Sequence, residues 1–315
     1  MVKTAFIYPG QGAQYIGMGK DVAGRYASAA EVFSAADAAL GFSLSDLIFS
    51  GDEDSLKITE NTQPALLTVC AAISAVLADQ GIYPGAAAGL SIGEYAAHVL
   101  SGTFTFVDAV KVVRMRGKFM QEEVPAGLGG MAAIIGLDAD AVEACCKKAP
   151  GRAGDVSLVV EPANYNCPGQ IVISGHIKAV EAARVLCKES GARRTAVLAV
   201  SAPFHCGLLR GAGVKLAGEL SKITLNTMRI PVVSNVTAEY VQNPAEAVIL
   251  LERQVASPVQ WERCVRRMLS DGISRFVEIG PGKTLAGFIG RIDPDAEVIN
   301  VSDVASIENA LSLLA

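Results

Sequence analysis

Gly89-Leu90-Ser91-Ile92-Gly93 is a G-x-S-x-G pentapeptide. The short, small-residue run Ala86-Ala87-Ala88-Gly89 leads into it, and a helical pattern from about Ile92 to Val99 follows. That context predicts a tight strand-to-helix turn. Glycines let the neighbouring segments approach closely, and the turn pushes the serine hydroxyl out at the start of a helix. Backbone N–H groups there can take up the charge of a developing oxyanion. The chemistry would be nucleophilic attack on a carbonyl. The plainer alternative is a glycine-rich turn capped by Ser91.

A serine nucleophile needs a base. The chain has only three histidines, at 98, 176 and 205. His98 falls seven residues beyond Ser91 on the same helix, and His176 sits in a turn. His205, in Ala202-Pro203-Phe204-His205-Cys206, is the best candidate by elimination. A hydrolase triad runs Ser, then Asp or Glu, then a late His. Here 110 residues follow His205 and no acid stands out as its partner. The expectation is a dyad, with His205 oriented by a backbone carbonyl or an amide.

The elements that must position these groups follow from hydrophobic periodicity. Ala5–Tyr8 reads as a buried strand ending at Pro9-Gly10-Gln11-Gly12. Residues 64–80 read as a buried helix, capped near Gln63 with Pro64 in its first turn. A membrane span is the lesser alternative for the uncharged stretch Asn61–Ala78. Arg114–Glu123 is helical and stops at Pro125-Ala126-Gly127. Between 131 and 200 the order is strand (Met131–Ile135), helix (Asp138–Lys148), strands (Val156–Val160 and Gln170–Ser174), helix (Ile177–Ser190), strand (Thr195–Val200). This β-α-β-β-α-β order is the split βαβ of a ferredoxin-like unit. Pro231–Val236, Arg275–Ile279 and Glu297–Val301 then read as further strands.

The chain has 315 residues, 51% hydrophobic and 19% charged, enough to bury a large core and unlike a disordered protein. Its 27 Lys and Arg against 32 Asp and Glu leave a formal charge of −5, which argues against nucleic-acid binding. Seven cysteines, an odd number with no C-x-x-C pair, fit a reduced cytoplasmic compartment better than disulfides or a zinc site. No signal peptide is visible.

Together the motifs resemble the malonyl-CoA:acyl carrier protein transacylases of fatty acid synthesis, over nearly the full length. The resemblance rests on Tyr8-Pro9-Gly10-Gln11-Gly12, Thr62-Gln63-Pro64-Ala65-Leu66, Gly89-Leu90-Ser91-Ile92-Gly93-Glu94-Tyr95, Met115-Arg116-Gly117-Lys118-Phe119-Met120-Gln121, Asn164-Tyr165-Asn166-Cys167-Pro168-Gly169-Gln170, Pro203-Phe204-His205, Ser257-Pro258-Val259-Gln260-Trp261 and Glu278-Ile279-Gly280-Pro281-Gly282-Lys283. It implies an α/β fold: a hydrolase-like, mostly parallel core (1–128 and 201–315) with an inserted ferredoxin-like βαββαβ subdomain (129–200).

The resemblance also implies roles. Ser91 would be the nucleophile and His205 the base. Backbone N–H groups of Gln11 and Ile92 would form the oxyanion hole, and Arg116 would hold the malonyl carboxylate, which a guanidinium fork suits. Gln254 would help orient His205. Phe204, just before that histidine, would favour malonyl over methylmalonyl by leaving no room for a branch. Asn164 and Asn166 are candidates for the cleft or for a turn. Many family members carry His where Leu90 stands. No metal or redox cofactor is implied.

The implied substrates are a coenzyme A thioester and phosphopantetheinylated acyl carrier protein, the chain is expected to be a cytoplasmic monomer, and neither a membrane nor nucleic acid is expected as a partner. Acyl carrier proteins are acidic, so docking calls for a local basic face. Residues 131–198 carry eight basic and seven acidic side chains, and Lys147, Lys148, Lys188, Arg193 and Arg194 are candidates, with Arg263, Arg266 and Arg267 elsewhere. The competing functions are a serine thioesterase, a non-catalytic carrier-protein-binding module and a free-standing acyltransferase of a polyketide assembly line.

Overall fold

The structure is a computed structural model describing residues 2–125, 127–200 and 202–314. The expected boundary residue Ser201, Ala126 of the helix stop and the two terminal residues lie outside the described residues. The strands are β1 (Lys3–Tyr8), β2 (Ala86–Gly89), β3 (Gly129–Ile135), β4 (Val160–Cys167), β5 (Gln170–His176), β6 (Arg194–Val197), β7 (Ile273–Ile279) and β8 (Glu297–Val301). They form two four-stranded sheets.

The first sheet has the order β2-β1-β7-β8 and is parallel throughout. Parallel strands are covered on both faces, so they read as continuous apolar runs. β1 shows how. Phe6 and Tyr8 pack into one hydrophobic core with helix Thr59–Asp79, while Ala5 and Ile7 face a second core with Trp261, Phe276 and Phe288. Helix Thr59–Asp79 is long and apolar enough to cross a membrane, but 83% of its apolar window is buried inside the fold.

The second sheet is antiparallel, with the order β4-β5-β3-β6. One face, including Ala132, Ile134, Ile171 and Ile173, packs on helices Ala139–Arg152 and Ile177–Glu189. The alternate residues Met131, Ala133 and Val172 line a cavity instead. The β-α-β-β-α-β order stands as expected.

Four local expectations change. Helix Thr59–Asp79 begins five residues before Pro64, which lies inside it. Its first turn is tied to the preceding segment by Thr62 Oγ1 on the Leu56 carbonyl (2.6 Å) and Asn61 Nδ2 on the Ser55 carbonyl (3.0 Å). The strand expected at Val156–Val160 is β4, which starts where that stretch ends. Val156 is 86% exposed, because Asp155 captures the Ser157 N–H and forms a turn. Pro162 is tolerated because β4 is an edge strand with register shifts. β6 ends at Val197, leaving Leu198, Ala199 and Val200 to line the cavity. Pro231–Val236 is no continuous strand: it makes isolated bridges at Val232 and Val233 and then turns, with Ser234 N–H on the Glu239 carbonyl.

Helix Phe106–Glu122, capped by Thr105 Oγ1 on the Asp108 N–H (3.1 Å), lies against helix Thr59–Asp79 at Gly117. A Cβ there would stand 2.6 Å from the Thr59 carbonyl oxygen. Gly117→Ala is expected to cost about 1–3 kcal/mol through overpacking, read from urea denaturation midpoints. An unchanged midpoint would show that the two helices can part at no cost.

Candidate active site

The turn at Ser91 is strained. Ser91 has φ +54°, a left-handed conformation unfavourable for a residue with a Cβ. Gly89 and Gly93 touch so closely that a Cβ on either would collide with backbone, of Gly93 or of Tyr8. Polar contacts from distant segments hold the turn. Asn235 Oδ1 accepts the Ser91 N–H (2.7 Å) and Asn235 Nδ2 donates to the Gly89 carbonyl (2.8 Å). Gln254 Nε2 donates to the Ser91 carbonyl (3.1 Å). Helix Gly93–Ser101 starts immediately beyond, so the hydroxyl sits at its positive end.

His205 comes to Ser91 from 114 residues away, with its Nε2 2.7 Å from Ser91 Oγ. Its backbone is also left-handed, at φ +59°. The following turn is pinned by the Gly207 N–H on Glu161 Oε2 (2.8 Å), a residue of β4. Nδ1 lies 2.8 Å from the Gln254 backbone carbonyl. A carbonyl only accepts, so Nδ1 carries the proton and Nε2 is left free to accept from Ser91. No acid takes part. The other histidines are elsewhere: His98 is buried on the helix beside Thr103, and His176 Nδ1 accepts the Val159 N–H.

Arg116 is 1% exposed, deep beside the dyad. Nη1 donates to Gln63 Oε1 (2.8 Å), and Nη2 to Gln254 Oε1 (2.8 Å) and Ser91 Oγ (3.1 Å). Its guanidinium carbon is 5.6 Å from the centre of the Tyr95 ring. Neutral amides therefore hold a buried cation whose charge is turned toward the serine. Burial, and then the positive charge of Arg116, push the His205 pKa down to about 3, while the hydrogen bond to the Gln254 carbonyl opposes the shift. His205 is thus neutral at physiological pH and able to act as a base. Burial alone brings His98 to about 3.

These groups open onto a cavity of about 470 Å³ between the two sheets. Gln11, Leu90, Phe204, Asn164 and Asn166 line it together with Ser91, Arg116 and His205. Both asparagines belong to β4 and not to a turn. The β1 loop reaches the serine because Gly10 has no side chain: a Cβ would stand 2.9 Å from the Leu90 carbonyl oxygen. Ile92 lies at the start of the helix. Among the described residues, no group of three His, Cys, Asp or Glu is placed to hold a metal, and all seven cysteines are buried and unpaired.

Three residues without a role in the sequence reading belong to this network: Gln63, Glu94 and Asn235. Asn235 carried a usable signal, since Ser234-Asn235 is a polar pair at the end of an expected strand, where α/β sheets place their sites. Glu94 and Gln63 lie on apolar helices, and no spacing marks them.

A dyad on a strained turn, with a buried cation beside the hydroxyl and no acid behind the histidine, defines a serine acyltransferase. The chain belongs to the acyl transferase domain family, whose profile matches residues 5–305. It is 44% identical over 314 residues to the malonyl CoA-acyl carrier protein transacylase of Bacillus subtilis, covering 100% of this chain and 98% of that one. The Escherichia coli K12 protein of the same name is 45% identical over 315 residues, covering 99% and 100%. Among solved structures, an acyl carrier protein S-malonyltransferase from Vibrio cholerae superposes with a TM-score of 0.94 at 42% identity, covering 98% and 99% of the two chains. A malonyl-transacylase in complex with a type II PKS acyl-carrier protein gives 0.95 at 39%, covering 99% of each.

The Arg116 charge predicts a pH effect. In the acylation profile (kcat/KM for acetyl-CoA, which brings no carboxylate), the acid limb of the wild type falls well below pH 6. Arg116→Ala removes a positive charge near His205, so its pKa rises and the acid limb moves to higher pH. A limb that stays in place, or moves down, would contradict this electrostatic coupling.

Proposed function

We propose that this chain moves a malonyl group from malonyl-CoA to the phosphopantetheine thiol of acyl carrier protein, supplying fatty acid synthesis, through a malonyl-Ser91 intermediate. The observation that carries the reading is Arg116: a buried guanidinium with Nη2 3.1 Å from the Ser91 oxygen.

The malonyl carboxylate pairs with Arg116, and the thioester carbonyl lies over Ser91. His205 Nε2 takes the hydroxyl proton as Oγ attacks. The tetrahedral oxyanion is met by the backbone N–H groups of Gln11 and Ile92. The C–S bond breaks and CoA leaves as the thiol with the proton from His205. The carrier-protein thiol then gives its proton to His205 and attacks the malonyl ester, and Ser91 regains its proton as the ester bond breaks. Each step uses side chains and backbone of this chain, without a metal or redox cofactor. A thioesterase would have to activate water. The buried cation beside Ser91 instead suits an acyl group that carries its own negative charge.

The finer assignments belong to the same proposal. Phe204 borders the cavity just before the base and excludes an α-methyl branch. Residues 129–200 are a subdomain inserted between the halves of the core, 1–128 and 201–315. Carrier-protein docking falls on the exposed Lys147, Lys148, Arg193 and Arg194. Arg266 and Arg267 are weaker candidates because they already pair with Glu262, Glu239 and Asp271. The chain acts as a monomer in the cytoplasm, whose reducing conditions suit its seven buried thiols.

Intact-protein mass spectrometry after mixing with malonyl-CoA tests the reading. The wild type should gain one malonyl adduct and Ser91→Ala none. Arg116→Ala should load malonyl roughly 10–100-fold more slowly, the worth of a hydrogen-bonded charge pair, with acetyl loading far less affected. Release of free malonate with no adduct would favour a hydrolase. Phe204→Ala should raise methylmalonyl loading relative to malonyl about 10-fold, and an unchanged ratio would remove Phe204 as the selector.

A further inference from the structure

Glu94, the second residue of helix Gly93–Ser101, is fully buried, yet the reaction just described gives it no task. A buried carboxyl is costly unless its oxygens are hydrogen-bonded. Oε2 accepts twice, from Gln254 Nε2 (2.6 Å) and from the Asn235 backbone N–H (3.0 Å). Oε1 has no partner among the described residues.

Both partners lead directly to reacting groups. Asn235 holds the Ser91 N–H and the Gly89 carbonyl. Gln254 holds Arg116. A glutamine amide has nearly the same shape in either orientation, so its neighbours decide which end faces where. Three acceptors face the Gln254 NH2: Glu94 Oε2 at 2.6 Å, the Ser91 carbonyl at 3.1 Å and, more distantly, Asn235 Oδ1 at 3.5 Å. That leaves Oε1 to receive Arg116 Nη2 at 2.8 Å. With the amide reversed, an NH2 group would face a cation, and one of the two amide supports of the guanidinium would be lost.

We propose that Glu94 is a positioning residue for malonyl selection: through the Gln254 amide it aims Arg116 at the substrate carboxylate, and through Asn235 it steadies the turn at Ser91. What this task requires is an acceptor oxygen at the Oε2 position. Burial raises the Glu94 pKa to about 7, in keeping with a group valued for its oxygen more than for its charge.

The proposal rests on the malonyl-transfer reading, and one experiment separates the two. Single-turnover loading of Ser91 from malonyl-CoA and from acetyl-CoA is followed by intact mass for the wild type, Glu94→Gln and Glu94→Asp. Gln keeps an oxygen at the acceptor position, whereas Asp withdraws it by one methylene. The malonyl-to-acetyl rate ratio should stay within about 3-fold of wild type in Glu94→Gln and fall at least about 10-fold in Glu94→Asp, mostly through the malonyl rate. General loosening of the site would instead slow both donors together. Equal ratios in Glu94→Asp and wild type, or an equal loss in Glu94→Gln and Glu94→Asp, would overturn the positioning role. Failure of the wild type itself to load malonyl would overturn the functional reading.

Discussion

A guanidinium is buried beside a serine hydroxyl, with neutral amides as its direct hydrogen-bond acceptors. Removing such a charge from water is expensive, and the penalty is reduced only by well-placed hydrogen bonds. Gln63 and Gln254 supply them. A carboxylate bonded to Arg116 in their place would satisfy the cation permanently and compete with the carboxylate of an incoming acyl group. Amides stabilise it less completely, so the site keeps attraction to spare for a ligand that arrives with its own negative charge. The packing of helix Phe106–Glu122 against helix Thr59–Asp79 brings Arg116 and Gln63 together, so the charge depends on a close helix–helix approach some distance from the chemistry.

Gln254 connects the two halves of the mechanism. Its backbone carbonyl sets the His205 tautomer and its side chain braces Arg116 and the Ser91 carbonyl. In the proposed mechanism one residue thus couples proton transfer to substrate recognition. The use of a carbonyl where triads use a carboxylate has an electrostatic reason here. A second negative charge behind His205 would raise its pKa and would also draw on the field of Arg116. The neutral acceptor orients the ring without doing either.

Much of this was legible in the sequence, for reasons specific to each element. The split βαβ order follows from alternating periodicities, and the turn at Ser91 from two glycines that only a close backbone contact requires. The dyad followed from the shortage of histidines and the lack of an acid. The structure brings Ser91, His205, Arg116 and Gln254 together from segments far apart in the chain. The failures were also physical. Pro162 obscured β4 because proline argues against a central strand, whereas β4 is an edge strand that tolerates it. Pro64 suggested a helix start, but the first turn lies upstream, where Asn61 and Thr62 tie it to the Ser55 and Leu56 carbonyls. Asn235 and Glu94 escaped notice because the contacts that define them span 141 to 160 residues, and no local pattern records a partner that far away.

β1 is an inner strand of its sheet, between β2 and β7, although β7 begins only at Ile273. This apolar strand therefore keeps one edge unpaired until synthesis has reached β7. Its partner is available only after residue 273 has emerged. Contacts of such sequence separation form slowly and leave strand edges open to other chains meanwhile. The loop that carries Gln11 hangs from the end of this strand, so the stretch of cavity wall that it forms is fixed only once β7 has paired with β1.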